Sequence, residues 1–445
     1  MIECAGKRIL IDCGLYQGSR ELDQENAGPF GFDAASIDYV LLTHAHLDHC
    51  GRLPLLRKRG FRGEIITTSA SRELARLVML DAAHLLEEDT RRRARRDDRA
   101  GVNGDVTSSL YSTLDAMNCI DNFGRTANYA EGFDVAPGVR ATFIDAGHIL
   151  GSASIFLQLA ERGHLTSVLF SGDLGNVGHM LLRNPATPPH ADNVVMETTY
   201  GDRLHKSLGS SIDELFEAVN ETFKRGGSVI IPAFALERAQ ELLYFLSDGI
   251  RQGRLAKSTQ VFLDSPMAIS ATEIFRRHPE CLNPAAAKLF QGTHDPFDLP
   301  GLHFTREAAD SVALNTIRGG AIIMAGSGMC TGGRVLHHLQ HNLDRDNCAI
   351  VFVGFAAAGT LARRIIDGAK QVRIFGDEVP VRARIYTING FSAHADQAEL
   401  LAWQKQTGAK RTFLIHGEED SMSKFAVQLV DTTVEIPEQN QSFDL

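Results

Sequence analysis

The segment LLTHAHLDHCG at residues 41–51 constrains this chain more than any other stretch. An apolar run ends there, and His44, His46, Asp48 and His49 follow within six positions. Side chains two residues apart at the end of a strand point the same way, so His44 and His46 can bind one cation. Asp48 and His49 follow in the loop and can turn toward a second cation. This mixture of imidazole and carboxylate predicts a zinc site, with manganese or iron as alternatives.

A single cluster cannot complete two metal sites, so other ligands are needed. His148 in FIDAGHILGS, Asp173 in LFSGDLG and His416 in FLIHGEE each follow a predicted strand, with a glycine nearby. Rigid backbone would hold a ligand in that place at the rim of a sheet. Taken singly, His148 or His416 could equally be a core or loop histidine. Together, the three strand ends predict the missing ligands.

Composition limits what such a site can serve. The chain has 445 residues and a formal net charge of −10, so a polyanionic substrate would be bound by a few placed arginines and by metal ions. No apolar run reaches the roughly 18 residues of a membrane span, and the first residues do not resemble a signal peptide. We therefore expect a cytoplasmic protein without membrane association. The seven cysteines include no CxxC pair, which argues against disulfides and a thiolate zinc site.

The pattern of strands and helices divides the chain into three parts. Residues 1–203 alternate short apolar strands with turns, apart from one helix that begins near Ser71. Residues 204–381 alternate strands with helices, which predicts a parallel α/β sheet. Residues 382–445 return to strands and loops. We therefore predict one domain, built from 1–203 and 382–445, that is interrupted by a second domain at 204–381.

The helices of the inserted domain have recognisable starts and ends. Ser211 and Glu214 have the spacing of a capping box, so we predict a helix that opens there. Gly226 and Gly227 predict its end. Further helices are predicted from about residue 236 and from about residue 335.

Six further motifs follow one another along the chain. They are ETTYG (197–201), PAFALER (232–238), LDSPMA (263–268), MAGSGMCTGGR (324–334), GFSAHAD (390–396) and LIHGE (414–418). With HAHLDHCG, they resemble the β-CASP branch of nucleic-acid nucleases in the metallo-β-lactamase superfamily. That branch includes the nuclease subunit of the cleavage and polyadenylation specificity factor, ribonuclease J and short bacterial ribonucleases. The resemblance covers nearly the entire chain and implies an α/β fold, in which a metallo-β-lactamase αββα sandwich carries an inserted β-CASP domain with a parallel α/β sheet.

The resemblance also implies a role for each metal-binding residue. One zinc is assigned to His44, His46 and His148, a second to Asp48, His49 and His416, and the bridge between them to Asp173. Asp12 in ILIDCG matches a position at which an aspartate orients the ligand loop. Two cations about 3.5–4 Å apart can share a hydroxide and neutralise charge on phosphate oxygens, which suits phosphodiester hydrolysis. The expected cofactor is therefore two Zn²⁺ per chain, with manganese or iron as alternatives.

Three residues are the catalytic candidates: Asp48, Glu197 and His394. The leaving 3′ oxygen must gain a proton, because an alkoxide is a poor leaving group. The resemblance puts Glu197 and His394 near the leaving-group side, so we predict that His394 is the acid and that Glu197 orients it. Alternatively, His394 supports a metal ligand or contacts a phosphate.

The stretch GSGMCTGGR (326–334) follows a predicted strand and precedes a predicted helix. Its backbone N–H groups could face an anion, although a Gly-rich turn can also be a tight connection only. Within the resemblance it looks like part of a nucleic-acid cleft, and FAAAGT (355–360) has alanines where relatives often carry polar residues. Guanidinium matches phosphate geometry, although any of these arginines could instead be a surface or packing residue. The candidate substrate contacts are Ser327, Gly328, Arg238, Arg334 and Arg364.

Another basic stretch, RRRARRDDR (91–99), carries six arginines and two aspartates. Such a run is typical of a solvated helix face, and an RNA-contacting edge is the alternative. The following VNGDVTSS (102–109) is predicted to be a loop.

The leading prediction is a metal-dependent ribonuclease that acts on single-stranded RNA as an endonuclease, with 5′ exonuclease activity as a further option. His416 favours RNA, because RNA-cutting branches of the family tend to have histidine there, and a DNA nuclease is the close alternative. A small-molecule hydrolase on the same fold does not need the insertion at 204–381. A non-catalytic relative would have lost metal ligands. The resemblance leaves homodimerisation open.

Overall fold

The computed structural model describes residues 1–16, 25–100, 109–292, 295–354, 356–357 and 359–445. The chain folds into two compact units. The first comprises Met1–Val177, Asn184–Arg203 and His394–Leu445, and the second comprises Gly178–Arg183 and Leu204–Ala393. The chain therefore returns to the first unit at His394 and not at residue 382, because the strand Arg384–Ile388 pairs with Ala349–Val353 of the second unit.

Within the described residues the strands are numbered β1 to β20 in chain order. They are Ile2–Cys4, Lys7–Ile11, Tyr39–Leu41, Glu64–Thr67, Phe123–Thr126, Gly132–Ala136, Val139–Asp145, Ala153–Glu161, His164–Phe170, Asn193–Glu197, Val229–Pro232, Gln260–Asp264, Leu302–Phe304, Ala321–Ala325, Ala349–Val353, Gln371–Ile374, Asp377–Pro380, Arg384–Ile388, Arg411–Ile415 and Thr433–Glu435.

The α-helices of the described residues are numbered α1 to α13. They are Leu47–Cys50, Leu53–Lys58, Ser69–Ala100, Thr113–Ile120, Leu208–Lys224, Arg238–Arg251, Pro266–Arg277, Pro284–Gln291, Ala308–Leu314, Val335–Asn342, Leu361–Ile366, Gln397–Thr407 and Glu419–Ala426. Short 3₁₀ helices cover Ala34–Ser36, Pro279–Cys281 and Asn389–Phe391.

Two sheets form the first unit. One has the order β1-β2-β3-β4-β5 and the other β20-β19-β10-β9-β8-β7-β6. Apolar side chains of β2 and β3, such as Ile9 and Leu41, share one buried core with Phe143 of β7 and Ile155 of β8. The two sheets therefore pack face to face, as alternating apolar residues along their strands require.

Helices cover the outer faces of the two sheets. Trp403 of α12 and Phe425 of α13 pack in one cluster with Leu169 of β9 and Met196 of β10. Beside the first sheet, α3 packs against β5 and α4, and α4 packs against α2. These layers confirm the predicted αββα sandwich.

The second unit is built on a six-stranded sheet of order β13-β12-β14-β11-β15-β18. All of its neighbouring strands are parallel, which confirms the predicted α/β sheet. Its central strands are buried on both faces, and β16 and β17 form a separate antiparallel hairpin. The loops that follow β11, β12, β14 and β15 meet at the carboxyl edge of the sheet, where ligands of α/β proteins usually bind.

Several local predictions can be compared with the structure. The helix expected at Ser211 begins one turn earlier, at Leu208, because the side chain of Ser207 accepts a hydrogen bond from the Ser210 amide. It ends at Lys224, before Gly226, as the glycines predicted. The helix expected near residue 71 begins at Ser69, and those expected near residues 236 and 335 begin at Arg238 and Val335.

The basic stretch at 91–99 belongs to the long helix α3. Arg91 and Arg92 are exposed and pair with Glu87 and Glu88 one turn earlier, at 3.3 and 3.4 Å. The side chains of residues 93 and 95–99, and the loop predicted at 102–108, lie outside the described residues.

Two further expectations concern the whole chain. All seven cysteines are buried, and none of them forms a disulfide. Among the described residues, no helix is both long enough and apolar enough to span a bilayer.

Candidate active site

The predicted metal ligands come together in the first unit, because each follows a strand of the sandwich. The HAHLDH segment follows β3, and its residues 47–50 form α1. His148 follows β7, Asp173 follows β9 and His416 follows β19. Carboxyl ends of neighbouring parallel strands meet at one rim, so side chains far apart in sequence converge there. Three groups of potential ligand atoms result, each with its atoms within 4.8 Å of one another.

The first group consists of His44, His46, His148 and Asp173. Nδ1 of His46 lies 3.2 Å from Nε2 of His44 and 3.1 Å from Nε2 of His148. A tetrahedral zinc site with bonds of about 2.1 Å has edges of about 3.4 Å between its ligand atoms. The three nitrogens therefore have the spacing that one small cation requires.

Asp173 connects this group to the second. Its Oδ2 lies 3.5 Å from Nε2 of His44 and 3.5 Å from Nε2 of His148. Its Oδ1 lies 3.3 Å from Nε2 of His49 and 3.4 Å from Nδ1 of His416. The side chain is only 1% exposed, and neither oxygen makes a hydrogen bond. A buried carboxylate without hydrogen bonds is costly unless cationic charge compensates it, so each oxygen is suited to one cation.

The second group consists of Asp48, His49 and His416. Oδ2 of Asp48 lies 3.5 Å from Nε2 of His416. Nε2 of His49 is buried and has no hydrogen-bond partner, which leaves it available to a metal. His416 itself has φ of +49°, so the backbone turns sharply between β19 and Gly417 and directs the ring back to the rim.

Asp12 fixes the orientation of two ligand rings. Its Oδ2 lies 2.7 Å from Nδ1 of His49 and accepts a hydrogen bond from Thr43 Oγ1 at 2.7 Å. Thr43 Oγ1 in turn lies 3.0 Å from Nδ1 of His44. With both Nδ1 atoms directed to this network, both Nε2 atoms face Asp173 and are free for metal. Thr43 lies directly before the ligand segment and belongs to no motif of its own, so its role was not predictable from the sequence.

Burial and neighbouring charges shift the pKa values of the candidate ligands in different directions. Burial lowers the pKa of His44 well below its usual range and that of His46 to about 4, so both rings are neutral at pH 7. Burial would raise the pKa of Asp173, but His416 and His49 outweigh it and hold that pKa well below normal. For His416, burial is outweighed by Asp173 and Asp48, which raise its pKa to about 9. A cation must displace that proton, so metal binding weakens in acid.

Glu197 and His394 form a pair beside the first group. Nδ1 of His394 lies 3.2 Å from both carboxylate oxygens of Glu197, and the His394 ring centre lies 4.4 Å from that of His148. Glu197 is fully buried, and its Oε1 accepts a hydrogen bond from the Leu174 amide at 2.6 Å. Burial lowers the pKa of His394, but the negative charge of Glu197 outweighs it and raises that pKa. The raised pKa favours the protonated form of the ring. Both residues also form the third potential metal group, with Asp173.

The donor atoms of these residues suit zinc or a similar cation. It combines imidazole nitrogens and carboxylate oxygens, includes buried donor atoms without partners, and has the required edge lengths.

The Gly-rich loop lies in the second unit, between β14 and α10. Ser327 Oγ lies 3.3 Å from Thr331 Oγ1 and accepts a hydrogen bond from the Thr331 amide at 3.1 Å. A Cβ atom at residue 328 would lie 2.8 Å from a ring carbon of Phe234, so a side chain there would displace that ring. Ser327 and Gly328 thus lie in a compact loop at the carboxyl edge of the parallel sheet.

The three predicted phosphate-binding arginines differ in their surroundings. Arg238 is buried and forms an ion pair with Glu241, which argues against a phosphate contact. Arg334 donates hydrogen bonds to Asp264 at 2.7 Å and to the carbonyls of Thr305 and Arg306, so its guanidinium is also occupied. In the described part of the chain, Arg364 has no acidic partner, and it is exposed. The difference lies in the neighbouring acids: Arg238 has Glu241 one helical turn away, and Arg334 faces Asp264 at the end of β12.

A buried polar network at this edge was not foreseen. Asp264 ends β12 and is fully buried. Its Oδ2 accepts hydrogen bonds from Ser311 Oγ and His338 Nε2, both at 2.6 Å, and its Oδ1 accepts one from Arg334. The motif LDSPMA placed Asp264 at a strand end, but its partners lie 47 and more residues further along the chain.

We expect Asp264→Asn to lower the free energy of unfolding by about 3 kcal/mol, because Arg334 and His338 lose the charge they face. Burial would raise the pKa of Asp264, but the hydrogen bonds from His338, Ser311 and Arg334 lower it to about 2. The stabilisation is thus complete above the unfolded pKa of about 4 and is lost as the pH falls through about 2. Urea unfolding followed by circular dichroism measures both effects. Asp367→Asn, which removes an exposed pair with Arg363, is the control and should change little.

Comparison with known families gives three matches along the chain. Residues 1–112 match the model of the metallo-beta-lactamase superfamily, and residues 239–365 match the Beta-Casp domain. Residues 378–437 match a domain described as the Zn-dependent metallo-hydrolase RNA specificity domain. The last match contains both His394 and His416.

Known proteins similar to the chain cover nearly all of it. Ribonuclease TTHA0252 of Thermus thermophilus is 38% identical over 95% of this chain and 90% of its own length. An RNase J-like protein of Methanocaldococcus jannaschii is 29% identical over 97% of this chain and 92% of its own. Transcription termination factor FttA of the same organism is 30% identical over 96% of this chain, but this chain spans only 65% of that factor.

Proposed function

The chain belongs to the β-CASP family of the metallo-β-lactamase superfamily, and from that premise we propose that it is a metal-dependent ribonuclease. It hydrolyses phosphodiester bonds of single-stranded RNA, as an endonuclease, with two Zn²⁺ ions per chain or with manganese or iron in their place. The observation that carries the proposal is Asp173, whose two oxygens each face two imidazole nitrogens at 3.3–3.5 Å.

In this proposal the two ligand groups have defined tasks. The first ion would be held by His44, His46, His148 and Asp173, and the second by Asp48, His49, His416 and Asp173. When bound, the ions acidify water and offset the negative charge of the phosphate oxygens. Asp12 and Thr43 orient the rings of His44 and His49, so that their Nε2 atoms face Asp173.

His394 protonates the leaving oxygen in this proposal. Glu197 accepts from its Nδ1 and supports the protonated form, so the ring can give a proton to the departing 3′ oxygen. Asp48 serves as a metal ligand, and hydrolysis depends on this carboxylate. Ser327 and Gly328 of the Gly-rich loop and Arg364 contact phosphates of the substrate.

RNA is preferred to DNA in this proposal for two reasons. The C-terminal match is to a domain described by its RNA specificity, and two of the similar proteins carry ribonuclease names. A DNA nuclease of the same family is the alternative outcome of the following experiment.

The test is cleavage of 5′ end-labelled single-stranded RNA, the matching single-stranded DNA and a closed circular RNA, each with and without a chelator. We expect cleavage of both RNAs, because an endonuclease needs no chain end, and no cleavage with chelator. Asp48→Ala should abolish the activity, whereas Asp134→Ala, which alters an exposed carboxylate of the first unit, should retain it. Cleavage of DNA alone refutes the substrate, and an uncut circle refutes the endonuclease. Full activity of Asp48→Ala refutes the metal mechanism.

Cytoplasmic residence and homodimerisation remain predictions from the sequence and its resemblance. Light scattering of the purified chain measures its assembly state.

A further inference from the structure

Phe234 is an exposed aromatic residue in an otherwise buried segment. Its side chain is 37% exposed, whereas its neighbours Ala233, Ala235 and Leu236 are all buried. The residue follows β11 at the carboxyl edge of the six-stranded sheet. Burial of a phenyl ring stabilises a protein, and an exposed ring does not contribute this free energy. The exposed position of Phe234 therefore suggests a role in binding.

Hydrogen bonds hold the backbone on both sides of Phe234. The Ala233 amide donates to the Ala325 carbonyl at 3.0 Å, and the Ala239 amide donates to the Phe234 carbonyl at 3.2 Å. These bonds tie the residue to β14 on one side and to α6 on the other. The backbone therefore places residue 234 at this edge of the sheet in the second unit.

Phe234 lies directly on the Gly-rich loop. A Cβ atom on Gly328 would lie 2.8 and 2.9 Å from two ring carbons of Phe234. The ring thus packs against the loop backbone, and the absence of a side chain at residue 328 makes the contact possible. Part of the ring faces the loop, and the exposed part remains open to a ligand.

The next residue of the loop is tied to the helix that carries Arg364. The Ala362 amide, in the first turn of α11, donates to the Met329 carbonyl at 3.3 Å. Arg364 lies two residues later, is exposed and has no acidic partner among the residues that the structure describes. The Gly-rich loop therefore contacts the exposed ring of Phe234 through Gly328, and through Met329 it contacts the helix that carries Arg364.

We propose that Phe234 stacks on a nucleobase of single-stranded RNA, in the nucleotide whose phosphate is bound by the Gly-rich loop and Arg364. The inference rests on the proposed ribonuclease function and adds a positioning residue to it. Every nucleobase has an apolar π face, so such a contact tolerates any sequence. Base pairs in a duplex hide these faces, so the contact also selects unpaired RNA.

The test measures RNA binding without turnover, by fluorescence anisotropy of a labelled single-stranded RNA with the full chain in chelator. Phe234→Leu is expected to weaken binding about tenfold, since stacking on an aromatic ring contributes about 1–3 kcal/mol per base. Phe234→Trp should bind within about twofold of the wild type, because it retains an aromatic face. Phe375→Leu makes the same chemical change at a more exposed ring on the turn between β16 and β17, and should leave binding unchanged.

A second RNA, which keeps the sugars and phosphates but lacks the bases, separates stacking on a base from an effect of Phe234 on the packing of the loop. The wild type should bind this RNA about tenfold more weakly than normal RNA, and Phe234→Leu should show little difference between the two. Equal losses for Phe234→Leu and Phe234→Trp, or a Phe234→Leu variant that still distinguishes the two RNAs, refute the stacking contact alone. A wild type that binds neither RNA overturns the ribonuclease proposal together with it.

Discussion

Replacement of Asp173 by asparagine is expected to reduce the zinc content of the purified chain from two ions to one or none. The same change is expected to lower kcat/KM for RNA by about 1,000-fold or more, because metal charge contributes several kcal/mol to stabilising the transition state. Asparagine keeps the shape of the side chain but offers one acceptor oxygen and one N–H donor group. Since each carboxylate oxygen of Asp173 faces two imidazoles, at least one ligand group must lose its shared atom.

Metal per chain is measured by mass spectrometry of protein dialysed against zinc, and activity is measured with the labelled RNA. Asp134→Asn, on the surface of the same unit, should retain both zinc ions and full activity. Circular dichroism reports whether the Asp173→Asn variant is folded. If the folded variant retains two ions and cleaves RNA normally, Asp173 does not bridge two metals.

The ligand set shows how far a sequence can predict a site. His44, His46, Asp48 and His49 lie together in the sequence, so their spacing alone indicated a metal. The more distant His148, Asp173 and His416 shared a local format, a strand followed by a polar residue and a glycine, which could be read without knowing which strands pair. The orientation of each carboxylate oxygen could not be predicted, because it depends on the register between β9, β10 and β19.

The second unit shows where prediction from sequence stops. Its alternation of strands and helices was readable, since apolar strands between helical patterns indicate a parallel sheet. The partner of Arg334 was not, because Asp264 lies 70 residues earlier in the chain and meets Arg334 only in the folded unit. Arg238 instead pairs with Glu241 three residues later on the same helix. The exposure of Phe234 could not be predicted either, because the residues around it in the motif are buried. Burial of a single residue among similar neighbours depends on tertiary packing, which periodicity does not encode.

The role of His394 is best isolated by a change of the leaving group. We expect His394→Ala to lower kcat for RNA by about 100- to 10,000-fold, the usual contribution of a positioned acid. With a nucleotide p-nitrophenyl phosphodiester, whose leaving phenolate needs no proton, the same variant should lose less than about tenfold. If His394 and Glu197 are not metal ligands, the variants His394→Ala and Glu197→Gln should both contain as much zinc as the wild type.

The dependence of the rate on pH separates a proton donor from a metal ligand. Glu197 raises the pKa of His394, so the wild-type kcat should fall as the pH rises through that raised value, because the acid form is lost. The fall should move to lower pH in Glu197→Gln, which keeps the hydrogen bond but removes the charge, and should vanish in His394→Ala. Loss of zinc from His394→Ala, or an equal defect on RNA and on the nitrophenyl ester, assigns His394 to the third ligand group with Asp173 and rejects proton donation.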